Sequence, residues 1–372
     1  MLRLFEVEGF KNFKERFTLN FSDVRDYKFN GDCLTAGLIG KMIIYGKNAI
    51  GKSNFGLALF DIASYPYLRR TSPIRAIDED AVDVSYLNTE NPKGYAAFRY
   101  VFQFGDRQVE YSYRKNALQR IIYEKVLVCD ELLFEYDRAQ PQSLNAEGIQ
   151  KISPTLRLEF ENVDSVFRYV ISNTPLEDEH PLRRTVKFID EMRISSNIYG
   201  NSGFLASRLL PGILTDELIL KEFEDFLHNA GVADNLTVLA DTDGRKRLYF
   251  DTTPPLLFEH AASSGTKMLL TLFRLYKAAE MEKISLLFLD EFDAFYHFEL
   301  AENIVQKLEK LKDTQIIFTS HNTNLLSNRI MRPDCYFILT KDKLTSFANA
   351  TDRELREGHN LEKLFMSGEF DE

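Results

Sequence analysis

The clearest chemistry in the chain lies in Gly46-Lys47-Asn48-Ala49-Ile50-Gly51-Lys52-Ser53. The spacing is G-x-x-x-x-G-K-[ST], the pattern of a loop that wraps a phosphate group. The glycines let backbone N–H groups converge on one anion, and a helix starting there turns its positive dipole end toward the charge. Lys52 would reach the β- and γ-phosphate oxygens and the Ser53 hydroxyl would ligate Mg²⁺, with Asn54 completing the nucleotide-binding set. The flanks suit that task. Met42-Ile43-Ile44-Tyr45 is a short β-prone stretch, and Asn54-Phe55-Gly56-Leu57-Ala58-Leu59-Phe60 reads as an amphipathic helix.

Two later strands end in groups that could work on the same phosphates. Ile284-Ser285-Leu286-Leu287-Phe288-Leu289 runs into Asp290-Glu291. A buried parallel strand tolerates charges at its carboxyl end, where ligands sit in open α/β sheets. Asp290 would hold Mg²⁺ through water, and Glu291 would polarise the attacking water. Thr314-Gln315-Ile316-Ile317-Phe318-Thr319-Ser320 runs into His321, 31 residues after Asp290. An imidazole there could contact the γ-phosphate as donor or acceptor. Ala262-Ser263-Ser264-Gly265-Thr266-Lys267 opens a helix that continues through Met268, Leu272 and Leu275. That is a second anion-facing helix start. Two such starts in one chain suggest ATP clamped between two copies.

The elements that must position these residues are legible to differing degrees. Alternating apolar residues over 2–21 predict a hairpin around Gly9-Phe10-Lys11-Asn12-Phe13, and Ala36–Tyr45 reads as the strand feeding the phosphate loop. The helix after that loop should end before Pro66. Ala96–Phe104 and Gln108–Tyr113 flank a Gly105-Asp106 turn, and Ile121–Leu127 and Glu131–Tyr136 continue the strand pattern. Gln140–Gln150, with Pro141, reads as an exposed loop, and residues 157–208 as helical. Asp216–Asn229 predicts a helix with Leu218, Leu220, Phe223, Phe226 and Leu227 as its apolar stripe. Leu236–Leu239 and Arg247–Phe250 predict a hairpin around Asp241–Gly244. Arg69-Arg70 with Arg75, Arg183-Arg184 and Arg245-Lys246-Arg247 are short basic groups best read as solvated faces.

Composition narrows the class. The chain has 372 residues, 44% hydrophobic and 13% aromatic, enough for a large core, and a net charge of −10. Nucleic acid would therefore need a local basic patch. Cys33, Cys129 and Cys335 lack metal-ligand spacing and read as reduced thiols of a cytoplasmic protein. The start has no apolar signal core, and no run of about 18 uncharged apolar residues occurs, so no membrane segment is expected.

The order of phosphate loop, Ser263–Lys267 turn, strand-Asp290-Glu291 and strand-Ser320-His321 resembles the ABC-type ATPase heads of the SMC, RecF and OLD families. It is most similar to the bacterial stand-alone OLD/RecF-like "AAA family" ATPases of phage-defence operons. Leu2–Phe13 resembles their first strand and N-F-K-x-F turn, and Ser263-Ser264-Gly265-Thr266-Lys267 resembles the ABC signature. Asp293 and His297 resemble the D-loop segment, with Phe298 where proline is common, and Arg356–Phe365 resembles their tail. The resemblance covers roughly residues 1–60 and 256–365.

It implies an α/β fold, an ABC-type P-loop ATPase head with a mixed β lobe, a parallel-sheet RecA-like lobe and an α/β insertion. The chain would divide into 1–60, 61–255 (the insertion) and 256–372. Lys52, Ser53, Asp290, Glu291 and His321 would act from one protomer, and the Ser263–Lys267 signature from the other. A homodimer or higher oligomer would bind ATP and Mg²⁺, hydrolyse ATP, and sense or gate a partner effector, a nuclease or toxin. Three departures bear on this. No heptad seam supports a coiled-coil arm; the Q-loop residue is left open among Gln103, Gln108 and Gln150; and the chain reaches Glu372 without a Toprim domain, so a nuclease would come from a partner. The runner-up is a DNA-repair or chromosome-maintenance ATPase that grips duplex DNA. A third reading is a scaffold that binds ATP without turning it over, which the Asp290-Glu291 pair opposes. A small-molecule kinase would have no task for the Ser-Gly turn, and a GTPase would need an N-K-x-D motif.

Overall fold

Two sheets of opposite character enclose the helix that follows the phosphate loop. The computed structural model describes residues 1–64, 86–196, 213–240, 244–281, 284–294 and 297–370. The chain opens with an antiparallel pair, β1 (Leu2–Glu8) and β2 (Phe17–Asn20), joined across the Gly9–Phe13 turn. A tight hairpin of β3 (Leu34–Thr35) and β4 (Leu38–Ile39) precedes β5 (Lys41–Tyr45), and α1 (Lys52–Leu59) follows the loop. A meander of β6 (Tyr95–Phe104), β7 (Arg107–Asn116), β8 (Ile121–Val128) and β9 (Glu131–Asp137) comes next. Then follow α2 (Glu147–Ile152), α3 (Val166–Asn173), α4 (Pro181–Asp190) and β10 (Arg193–Ser196). Helix α5 (Glu217–Asn229) leads to the small sheet of β11 (Leu236–Ala240), β12 (Lys246–Phe250) and β13 (Leu256–Leu257). The remainder is α6 (Ser264–Glu280), β14 (Leu286–Asp290), α7 (Phe298–Glu309), β15 (Gln315–Thr319), β16 (Tyr336–Leu339), β17 (Leu344–Ser346) and α8 (Leu361–Met366).

The first sheet is antiparallel, in the order β2-β1-β6-β7-β8-β9. The second runs β10-β14-β15-β5-β16-β17, parallel except for β17. Its central strands are buried along their whole length, which explains their unbroken apolar runs. Helix α1 lies between the sheets. The Phe55 ring sits 5.9 Å from Phe5 of β1, 5.9 Å from Phe17 of β2 and 6.4 Å from Phe288 of β14. The loop is thus anchored through its helix to both sheets.

That packing depends on Gly56. A Cβ there would come within 2.5–2.9 Å of the buried Phe288 ring. Ala gains about 1 kcal/mol of helix propensity over Gly, whereas overpacking costs about 1–3 kcal/mol. Gly56→Ala is therefore expected to lower the thermal midpoint, and a rise in a calorimetric melt would contradict this packing.

Several expectations need correction. The predicted strand Ala36–Tyr45 is broken, because Ala36 (φ 50) and Gly37 (φ 77) form a two-residue turn and β5 starts only at Lys41. The predicted loop Gln140–Gln150 runs into α2, whose Ile149 is buried and whose Gly148 lies flush against Leu132 and Leu133. The stretch from 157 holds two helices but also strand β10, and 197–208 lie outside the described residues. Leu218, placed in the apolar stripe of α5, is 76% exposed; Phe223 and Leu227 carry the burial. Residues 61–255 supply strands to both sheets, with β6 pairing with β1 and β10 with β14. Among the described residues the longest helix is α6, with 17 residues, and no helix is long and apolar enough to cross a membrane.

Candidate functional site

Parallel strands deliver their carboxyl ends to one edge, and that edge collects the predicted chemistry. The register pairs Phe318 and Thr319 of β15 with Ile43 and Ile44 of β5, and Leu289 of β14 with Phe318. Gly46, Asp290 and the Ser320-His321 pair therefore emerge side by side. In the loop, Ala49 (φ 61) and Gly51 (φ 112) take left-handed conformations, and α1 starts at Lys52 with no side chain capping its first N–H groups. Those donors are available to an anion. Lys47, Asn48 and Ala49 are exposed, Gly46, Ile50, Gly51, Ser53 and Asn54 half-buried, and Lys52 buried.

The Lys52 ammonium donates to Gly46 O at 3.1 Å and lies 2.6 Å from His321 Nε2. Burial lowers the lysine's pKa, with Glu291 and Asp290 pulling it back up. His321 is also pushed down, first by burial and then by the Lys52 charge, so its neutral ring accepts from Lys52 at Nε2. Glu291 Oε1 lies 3.8 Å from the same nitrogen.

An NMR titration of His321 is expected to show a midpoint below its ordinary 6.5. Lys52→Met should move it up by removing a repelling charge. Because the folded-state value is lowered, the associated stability is present above the unfolded value and is lost as pH falls through the folded one. A wild-type midpoint at or above 6.5 would contradict the Lys52–His321 contact.

Three consecutive residues at the end of β15 grip this group, and of them Thr319 was not singled out in the sequence. Thr319, fully buried, donates to Asp290 Oδ1 at 2.7 Å and accepts from the Glu291 N–H at 2.7 Å. Ser320 donates to Asp293 Oδ2 at 2.6 Å, and burial raises the pKa of Asp293. His321 completes the series on Lys52. Glu291 itself has φ +46, an uncommon backbone for a long side chain, held by the Thr319 bond.

The signature residues stand elsewhere. Ser263 caps α6 by accepting from the Thr266 N–H at 3.1 Å, and Ser263, Ser264 and Lys267 are exposed while Gly265 is half-buried. Among the described residues no hydrogen bond joins this turn to the phosphate loop. The body of α6 reaches the site instead, with Met268, Leu272 and Leu275 lining a small space beside Leu289 and Asp290. Of the three glutamines left open, Gln103 and Gln108 bond Arg3 at the other end of β1, where the Leu2 N–H meets the Gln315 side chain at the start of β15. They face the amino edge, away from the Gly46–Ser53 loop. The carboxyl-edge position beside Asp290 belongs to Ser195-Ser196 of β10, paired with Leu289 and Asp290. Arg183 and Arg184 meet Asp178 and Glu179, at 3.4 and 3.5 Å. The Arg69–Arg75 group lies outside the described residues.

Residues 41–327, from the start of β5 to just past His321, match the family described as "AAA domain, putative AbiEii toxin, Type IV TA system". The chain belongs to that family. It is a P-loop NTPase domain, and Gly46–Ser53, with the G-x-x-x-x-G-K-[ST] spacing, falls within the matched residues. No curated protein matches the chain. Among solved structures it is similar to an SMC head bound to the C-winged helix domain of ScpA, at 16% identity, 93% of this chain, 97% of that one and a TM-score of 0.49. It is also similar to the SMC head domain from Thermotoga maritima, at 14%, 93%, 98% and 0.44. A Pyrococcus yayanosii Smc head with a coiled coil and joint gives 11%, 93%, 96% and 0.49. Likeness at this level assigns no role to any residue.

Proposed function

We propose that this P-loop NTPase is an ABC-type ATPase in which two copies close on two ATP molecules and hydrolysis reopens them. The observation that carries the reading is the meeting of Lys52, Glu291 and His321 at the carboxyl edge, with Asp290 fixed beside them by Thr319. The acceptors of Lys52, Gly46 O, Lys47 O and His321 Nε2, are neutral groups. A phosphate oxyanion outcompetes them, because charge-assisted bonds are about twice as strong. Lys52 then turns to the γ-phosphate, His321 becomes available to it, and Glu291 orients the attacking water. Ser264, Gly265 and Lys267, exposed or half-buried, suit a phosphate in a second copy.

The donor set fits Mg²⁺ shared with a nucleotide. Among the described residues no group of three or more acidic, His or Cys ligands forms a metal cage. Ser53 and the buried Asp290 are the hydroxyl and carboxylate pair that Mg²⁺ takes when phosphates fill its remaining positions. Bound there, the ion would offset charge building on the phosphates, while this chain's residues align the water.

The biological output we infer is gating of a partner effector, a nuclease or toxin, in bacterial anti-phage defence. The toxin–antitoxin wording of the family description supports it. Purification from source cells through a tag on this chain, in ATP, comparing wild type with Glu291→Gln, is the test. A co-purifying nuclease or toxin-like protein is expected. A bare dimer that captures duplex DNA only in the ATP-locked variant would replace the gate with a DNA clamp.

A further inference from the structure

Asn12 touches the phosphate loop from a distant part of the chain. It sits in the β1–β2 turn, and its side-chain Nδ2 donates to Ile50 O at 3.2 Å. Its Oδ1 accepts from Asn54 Nδ2, in the first turn of α1, at 2.9 Å. The amide lies against Gly51, where any added Cβ would collide with it. The turn is itself held in place: Lys11 N–H bonds Tyr86 O at 3.0 Å, Asn88 N–H bonds Gly9 O at 2.9 Å, and Asn88 Nδ2 bonds Lys11 O. Tyr86 also donates through its hydroxyl to Asp61, just beyond the other end of α1, at 2.9 Å. Asn12 therefore approaches the loop from a fixed support rather than from a free side chain.

The consequence follows from peptide geometry. In a planar trans peptide the C=O of one residue and the N–H of the next point in opposite directions. A grip on Ile50 O therefore sets the direction of the Gly51 N–H, turning it away from Asn12. Gly51 has wide backbone freedom, and nothing in its own side chain would hold that orientation. The bond from Asn54 fixes the Asn12 amide to the helix whose N–H groups face the same anion.

We propose that Asn12 is a positioning residue that presets the Ile50–Gly51 peptide for nucleotide phosphates, so that the β1–β2 turn sets nucleotide affinity without touching the reacting atoms. The proposal rests on the nucleotide-binding reading above. Preorganisation of this kind acts on binding and should leave the chemical step alone.

The test is the ATP dissociation constant, by calorimetry on the full chain, for wild type, Asn12→Ala and Asn12→Asp, with kcat and the nucleotide-free melting midpoint for each. Both variants are expected to weaken ATP about tenfold, the scale of one or two lost hydrogen bonds. At saturating ATP, kcat should stay within about twofold and the melting midpoint should hold. Asn12→Asp matters because it keeps the acceptor for Asn54 and loses the donor to Ile50 O. Wild-type affinity in both variants overturns the proposal, as does a weakening matched by a falling nucleotide-free midpoint, the mark of a merely structural role. If wild type itself binds no ATP, the nucleotide reading beneath it fails instead.

Discussion

Glu291→Gln is expected to stop ATP turnover while leaving ATP capture intact. The substitution keeps the shape of a side chain whose backbone N–H is fixed at 2.7 Å on Thr319 and whose carboxylate lies 3.8 Å from His321 Nε2. The carboxylate's charge and its ability to accept a proton from water are lost, and general-base catalysis of this kind contributes about 10²–10⁴-fold. Phosphate release should fall by about that factor. The calorimetric ATP affinity should stay within about threefold, since no donor to the phosphates has been removed. Residual turnover above about a tenth of wild type would remove Glu291 from the role of base.

Thr319→Val should come next in size, and it acts without touching the nucleotide. Valine matches the shape of threonine but loses both the donor to Asp290 Oδ1 and the acceptor for the Glu291 N–H. Thr319 is fully buried, so unsatisfied partners each cost about 1–3 kcal/mol. Two effects are expected together: a lower melting midpoint, and a kcat reduced about 10–100-fold, because small displacements of positioned groups are costly. Thr319→Ser keeps the hydroxyl and should restore kcat even if it packs less well. Steady-state kinetics on the three proteins check this. A fall in melting midpoint with kcat unchanged would mean that Thr319 only holds the core.

These two residues mark where the sequence was legible and where it was not. The phosphate-loop motif is read from its letters because it is local: the glycines, Lys52 and Ser53 stand within a few residues of one another. Asp290, Glu291 and His321, which the fold brings to one edge, could be picked out because buried parallel strands are apolar until the carboxyl edge, so a polar residue there stands out. Thr319 has no such signature, since a threonine at a strand end is ordinary until its neighbours across β14 are known. Asn12 lies 34 residues before Gly46, and only the packing of α1 between the sheets brings it to the loop. Strand β10 was hidden among helices because Arg193–Ser196 is four residues long and too short to show a period. The hairpin at Ala36-Gly37 was read through because its flanks are equally apolar and β-prone. The stripe on α5 failed at Leu218, which at 3.6 residues per turn falls on the opposite face from Leu227, while its neighbours Ile219 and Leu220 pack against the smaller core.

The central claim is that each ATP is served by two copies, with Glu291 from one and Gly265 from the other. Mixing two dead variants, Glu291→Gln and Gly265→Asp, tests it most directly. In a mixed dimer one site would combine the intact loop and Glu291 of the second variant with the intact signature turn of the first. With random pairing the account predicts a return to about a quarter of wild-type ATPase, since about half the dimers are mixed and one site in each is whole. A mixture no more active than either variant alone would contradict it.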